Sequence, residues 1–241
     1  MKSEAIVELG KPLQTIETET PTPKGKEVLL KITHSGVCHS DVHIHDGYFD
    51  LGGGNKLPVG AMLNLPHTMG HEIEGEVVSI GSDVKDIEIG SNVVAYPWIG
   101  CGNCSTCSDG DEHYCNAPRQ LGIQLPGGFA DYCIVPDSKY VLDYEGIRPG
   151  LAATYMCSGL TAFGALKKIV NIGDKDHILI MGLGGVGMMG LQFARSLFNC
   201  KILAADIDPN KLQAAKGAGA DEVYDTSDEQ SLKKLLDDTG G

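Results

Sequence analysis

Along the first 145 or so residues, short β-branched runs alternate with Gly, Pro and Asn: EVLLKIT (27–33), IEGEVVSIG (73–81), SNVVAYP (91–97), FADYCIVP (129–136) and YVLD (140–143). Runs of this kind, bounded by turn residues, predict an all-β region with long loops. Around Pro149 the texture changes. LAATYMCSGLTAFGALKKIV (151–170) reads as a helix, followed by strand HILIMG (177–182), helix VGMMGLQFARSLF (186–198), strand KILAAD (201–206), helix PNKLQAAKGA (209–218), strand EVYD (222–225) and helix EQSLKKLLDD (229–238). Alternating strands and helices predict a parallel sheet with crossover helices. The fold class is therefore α/β plus β, with a β-rich domain over residues 1–149 and a doubly wound sheet over 150–241. A dinucleotide fold has two three-stranded halves, and only the N-terminal half is expected here.

Composition narrows the partners. Hydrophobic residues make up 42% and charged residues 21%, ordinary globular usage. The net charge of -13, with no concentrated run of Lys and Arg, excludes a nucleic-acid footprint and points to small molecules. The start MKSEAIVELG lacks the basic and apolar regions of an export signal. The most apolar stretch, ILIMGLGGVGMMGL (178–191), falls short of the roughly 20 residues of a membrane span and is threaded with glycine. A cytoplasmic, reducing setting is expected, where closely spaced cysteines are read as metal ligands rather than disulfides.

The segment GCGNCSTCSDGDEHYCN (100–116) holds Cys101, Cys104, Cys107 and Cys115, four of the eight cysteines. Four thiolates in one loop suit tetrahedral zinc, and a closed all-sulfur set is structural because no position is open for chemistry. Iron–sulfur spacings differ from this one. The implied lobe covers about residues 98–118. GVCHSD (36–41) and GHEIEG (70–75) each place a Cys or His beside a glycine and an acid, and Cys157 is either a small core residue or a further ligand. Two cysteines and one histidine form a catalytic zinc set that leaves a fourth position for water or substrate.

GLGGVG (182–187) follows an apolar strand and opens a helix, and Asp206 ends the next strand. Gly182 permits the tight turn, Gly184 lets a pyrophosphate approach the backbone, and Gly187 lets the helix pack on the sheet. Helix N-terminal amides, those of Gly185 and Val186 among them, then face the phosphates. The Asp206 carboxylate suits ribose hydroxyls and repels a 2′-phosphate, favouring NAD, although Lys211 lies nearby.

On these motifs, in this order, the chain resembles the zinc-dependent alcohol dehydrogenases of the medium-chain dehydrogenase/reductase family, with a GroES-like catalytic domain followed by a Rossmann domain. The resemblance runs to residue 241, where the family's chains continue. It implies two zinc ions per chain: a catalytic one on Cys38, His71 and Cys157, and a structural one on Cys101, Cys104, Cys107 and Cys115. It makes Asp41 and Glu72 supporting carboxylates, although either also reads as a solvated surface acid. It gives Ser40 the substrate's proton, His43 its relay to solvent, and His39 the cofactor pyrophosphate. Tyr48, Phe49, Leu57 and Trp98 are pocket candidates, Trp98 equally a core residue. The role of the Gly-rich insertion 48–64 stays open between shaping the pocket and covering it. Cys133 and Cys200 read as core packing, and His34, His45, His67, His113 and His177 as loop or surface residues. The reaction implied is alcohol–carbonyl interconversion with NAD, by a homodimer or homotetramer in the full-length form. A polyol or secondary-alcohol dehydrogenase is the alternative, as is a zinc- and nucleotide-binding chain without turnover; the 241-residue chain alone is expected to be nearly inactive.

Overall fold

The computed structural model describes residues 1–240, which form two compact units, Met1–Cys157 and Ser158 onward. The units divide after the change of texture at Pro149, because the 3-10 turn Ala152–Met156 packs on the strands of the first unit.

The first unit runs β1 (Lys2–Ile6), β2 (Gln14–Glu17), β3 (Val28–Gly36), α1 (His39–Asp46), β4 (Tyr48–Asp50), β5 (Lys56–Pro58), β6 (His67–Thr68), β7 (Glu72–Ile80), β8 (Asn92–Ala95), the single turn α2 (Ser105–Ser108), β9 (Tyr132–Val135) and β10 (Val141–Asp143). Five strands form an antiparallel sheet in the order β10-β8-β7-β3-β9, and β2-β1-β6 form a second. The core on one face gathers Val28, Leu30, Ile73, Val77, Val93 and Val135. Each such side chain fully buried contributes about 1.5–3 kcal/mol, which is why these β-branched runs settle as strands.

The other face of β7 carries Glu72 and Glu74, two residues apart and hence on one side of the strand. Simple alternation sends them to solvent, yet both are buried. The facing strand β3 carries an extra residue at Thr33, so that beyond it His34 pairs with Glu74 and Gly36 with Glu72. Such a bulge re-aims side chains. Helix α1 starts at Cys38, whose backbone N–H is accepted by the Asp41 carboxylate at 2.9 Å, and stops at Gly47 in the left-handed region at φ 82°.

In the second unit, α3 (Ser158–Leu166) precedes β11 (His177–Met181), α4 (Gly185–Leu197), β12 (Lys201–Asp206), α5 (Pro209–Gly217), β13 (Glu222–Asp225) and α6 (Glu229–Thr239). The strands form a parallel sheet in the order β11-β12-β13. Leu191, Ala194, Ile202, Ala204 and Ala215 fill its core. Asp208 caps α5 through Asn210 N, with Pro209 at the first helical position, and Asp228 caps α6 through Ser231 N.

One helical expectation is corrected. Residues 151–170 are not a single helix: the 3-10 turn Ala152–Met156 ends at Cys157, at φ −128° and ψ −79°, and α3 begins at Ser158. The Thr154 hydroxyl donates to Leu151 O at 2.7 Å and Cys157 N to Thr154 O, so the turn closes three residues back rather than four.

Candidate active site and metal centres

Cys38 caps α1, His71 directly precedes β7, Glu72 opens it, and Cys157 sits at the break after the 3-10 turn. Chain segments more than a hundred residues apart thus deliver ligand atoms that lie within 4.8 Å of one another. Gly36 permits this, because a Cβ there would meet the Glu72 Oε2 at 2.0 Å. Cys38 Sγ and Cys157 Sγ are 3.9 Å apart, far beyond a disulfide bond of about 2.05 Å. Two sulfur corners of a zinc tetrahedron with bonds of about 2.3 Å should lie about 3.8 Å apart, which this spacing matches.

His71 is wholly buried, and neither ring nitrogen has a hydrogen-bond partner. Asp41 Oδ1 approaches Nδ1 to 3.3 Å, close enough for charge attraction but poorly aligned as a hydrogen bond. A buried unpaired imidazole nitrogen beside two sulfurs is costly unless something fills the space between them. The donor set and its orphaned nitrogen fit a zinc ion. Without one, protons redistribute within the set: Cys157 and then His71 hold the Cys38 thiol far below its usual range, at about 3. The Cys38 thiolate and burial push Cys157 upward. Burial lowers His71, but Asp41 and Cys38 outweigh it and lift the imidazole to about 9. Metal entry therefore displaces protons from this set.

Asp41 and Glu72 are both buried, so the surface-acid reading does not hold for either. Asp41 instead ties the Cys38 backbone to the His71 ring.

Beside this set lies an apolar cavity of about 270 Å³. Ser40, Phe49, Met62, Leu63, Trp98 and Ile123 are among its lining residues. Trp98 leans on the His71 ring at 5.8 Å between centroids and donates its indole N–H to Met156 O at 2.8 Å. The insertion 48–64 supplies Phe49, Met62 and Leu63, so it walls the cavity. Tyr48 and Leu57 do not line it: Tyr48 carries the Lys56 ammonium over its ring at 3.6 Å, and Leu57 is exposed on β5. Met62 and Leu63 belong to the insertion singled out by its glycines but carry no individual signal, and Ile123 carries none, since single apolar residues in loops show no pattern. His43 sits between His39 and Phe49 in tilted ring contacts, with centroids 4.7 Å and 4.6 Å away.

Cys101, Cys104, Cys107 and Cys115 form a second set within 4.8 Å, with sulfur separations of 3.9 Å for 101–107, 3.5 Å for 104–107 and 3.8 Å for 104–115. These too are tetrahedral edges. Backbone N–H groups of Cys101 and Ala117 donate to Cys115 Sγ, as they would to a thiolate. Asn103 and neighbouring groups hold Cys101 down at about 6, whereas burial pushes Cys107 up to about 12. The lobe is pinned by Glu112, which accepts from Gly100 N at 3.2 Å, Lys139 Nζ at 2.5 Å and the Tyr140 hydroxyl.

In the second unit, Gly182 turns at φ 83° and α4 opens at Gly185 with Gly184 as its cap. A Cβ on Gly187 would lie 1.8 Å from Gly182 O, whereas one on Gly184 would meet open space. Asp206 accepts from Leu183 N at 2.6 Å, Ile207 N at 2.8 Å and Asp208 N at 3.0 Å, and these bonds keep its carboxyl below the usual range. Lys211 Nζ lies 3.9 Å away and Val186 is half-exposed at the mouth of the turn.

Comparison with known proteins bears on these sites together. Residues 24–145 match the alcohol dehydrogenase GroES-like domain, and residues 185–241 match the zinc-binding dehydrogenase family. The NAD-dependent alcohol dehydrogenase of Sulfurisphaera tokodaii is 38% identical over 241 residues, covering 100% of this chain and 69% of the relative. The chain belongs to the zinc-dependent alcohol dehydrogenase family of medium-chain dehydrogenases. Solved members superpose closely. The alcohol dehydrogenase of Aeropyrum pernix gives a TM-score of 0.86 at 26% identity, covering 100% of this chain and 69% of that one. The D-arabinose dehydrogenase of Sulfolobus solfataricus gives 0.81 at 27%, covering 98% and 71%. Zinc and NAD are thus the cofactors of the family to which both metal sets and the glycine turn belong.

The remaining histidines divide. His67 is not a loop or surface residue: it is buried in β6 with Nε2 on Gly122 O at 3.1 Å, and burial holds its imidazole below the ordinary value. No described helix is long and apolar enough to cross a membrane.

Proposed function

We propose that this chain carries the metal-binding and adenosine-binding portion of an NAD-dependent oxidoreductase that interconverts small apolar alcohols with their aldehydes or ketones. The observation carrying this reading is the buried Cys38–His71–Cys157 set beside an apolar cavity lined by Ser40 and Trp98. When bound, zinc supplies Lewis acidity that lowers the pKa of a ligated hydroxyl, and NAD supplies the hydride acceptor. Cys38, His71 and Cys157 hold the metal, and the four-cysteine loop holds a second, structural zinc, giving two per chain. Trp98, Phe49 and Leu63 orient the substrate's carbon chain and exclude water. The Ser40 hydroxyl takes the substrate's proton, and half-buried His43 passes it outward. In the second unit the amides of Gly185 and Val186 face the cofactor phosphates, and Asp206 its adenosine ribose, which favours NAD over NADP.

The walls are mainly apolar, with Ser40, Gln120 and Gln124 as the polar lining residues, which favours simple alcohols over polyols whose several hydroxyls would outnumber these partners. Reduced thiols in both metal sets suit a cytoplasmic setting. The full-length protein is expected to form a homodimer or homotetramer. The chain spans 69% of the length of the Sulfurisphaera tokodaii relative, and little or no turnover by it is expected.

Zinc content per chain, measured on protein purified without chelator, tests the assignment alongside a panel of alcohols with NAD. Two zincs are expected in the parent, one in His71→Ala and one in Cys104→Ser. A parent holding one zinc that His71→Ala retains would refute the catalytic ligand set.

A further inference from the structure

Glu74 is a fully buried carboxylate that the reaction does not use. It stands two residues beyond Glu72 on the same face of β7, opposite His34 across the Thr33 bulge. Its oxygens accept from Gly150 N at 2.9 and 3.1 Å, from the Tyr144 hydroxyl at 3.1 Å, and bond His34 Nδ1 at 3.1 Å. Burying a carboxylate is expensive unless several donors meet it, and here donors come from two separate segments. Gly150 is held at φ 80°, with a Cβ position 3.2 Å from the His34 ring, so its backbone is fixed from both sides. From Gly150 the chain passes directly into the 3-10 turn Ala152–Met156, which rests on β3, β7 and β8 and ends at Cys157.

We infer that Glu74 is a positioning residue for the buried metal set, clamping the segment that delivers Cys157 to the strand that carries His71 and Glu72. The inference rests on the proposed catalytic zinc site. Both Glu74 oxygens accept from Gly150 N, so the clamp sets where the 3-10 turn begins and hence where the Cys157 sulfur arrives.

The test is zinc release from the loaded 241-residue chain to a chromogenic chelator. The phase belonging to the buried set is identified by its absence in His71→Ala. Glu74→Ala should speed that phase by about 10-fold or more, the usual effect of removing a partner that supports a metal ligand, and leave the four-cysteine phase unchanged. Glu74→Gln, which keeps an acceptor oxygen for Gly150 N, should restore most of the retention, and Tyr144→Phe should show a smaller acceleration in the same direction. Should Glu74→Ala fail to fold, the Gln and Phe variants carry the same comparison. Equal acceleration of both phases, or none in a folded variant, overturns the clamp. If the parent instead holds a single zinc with no phase lost in His71→Ala, the underlying metal-site reading is what has failed.

Discussion

Removing zinc from the four-cysteine lobe should unfold that lobe and little else. Of residues 101–116 only Cys115 is buried, so the segment has almost no apolar core to hold it. Ordering these sixteen backbones costs on the order of 16 kcal/mol at about 1 kcal/mol each. Six backbone hydrogen bonds lie within the lobe, from Ser108, Asp109, Gly110, Asp111, Tyr114 and Cys115. At about 1 kcal/mol net apiece they offset only about 6. A structural zinc contributes on the order of 10–16 kcal/mol, enough to close the gap, whereas the Glu112 contacts to Gly100, Lys139 and Tyr140 supply only about 1–3. Cys107→Ser, or chelation of the parent, should therefore leave the lobe disordered while β3, β7 and β8 remain paired. Hydrogen exchange followed by mass spectrometry reads this directly. Peptides from 101–116 should lose protection and those from 72–80 should keep it. Full protection of the lobe in protein shown to have lost the metal would refute the reasoning.

Three further outcomes follow from individual contacts. Gly187→Ala should weaken NAD binding at least about 10-fold in calorimetry and destabilise the second unit by about 1–3 kcal/mol, since its Cβ would collide with Gly182 O; Gly184→Ala, which meets open space, should spare stability. Glu112→Ala should cost about 1–3 kcal/mol in urea unfolding, chiefly by leaving the Tyr140 hydroxyl and Gly100 N without their acceptor. His67 is buried with its pKa lowered from 6.5, so the unfolded chain protonates first as pH falls. Stability should drop as pH falls below about 6.5 until the folded-state pKa is reached; in urea titrations at about pH 7.5 and about pH 5.5, His67→Gln should lose less than the parent.

The strongest patterns in the chain were those whose chemistry is local. The four cysteines lie in one loop, and GLGGVG leads from a strand into the first turn of a helix, so their neighbours in sequence are their neighbours in space. The parallel sheet was legible for the same reason: KILAAD and EVYD appear as β12 and β13 with the bounds their composition indicates. The short strands β1, β2 and β6 left no periodic trace, because two to five residues of mixed character acquire strand form only from their partners.

The buried acids show where local pattern fails in principle. In β7 the period of two places Glu72, Glu74 and Glu76 on one face, and a free-standing strand would turn that face to water. What meets Glu74 is a segment some seventy residues later, whose Gly150 N and Tyr144 hydroxyl donate to its oxygens, while Glu72 lies among the ligand atoms of Cys38, His71 and Cys157. Burial and partner therefore arise together, and neither exists in the sequence of the strand alone. The same dependence explains Cys157, whose helical surroundings concealed a break that frees its sulfur from the regular spacing of a helix. A metal set assembled this way needs supports from every segment it joins: Asp41 beneath His71, Gly36 beside Glu72, and Glu74 beneath the approach to Cys157. If that account is right, the supporting substitutions should rank by how directly each partner touches a ligand. Asp41→Ala should then release the buried zinc faster than Glu74→Ala, and the reverse order in the chelator assay would show that delivery of Cys157, not orientation of His71, limits retention of the metal.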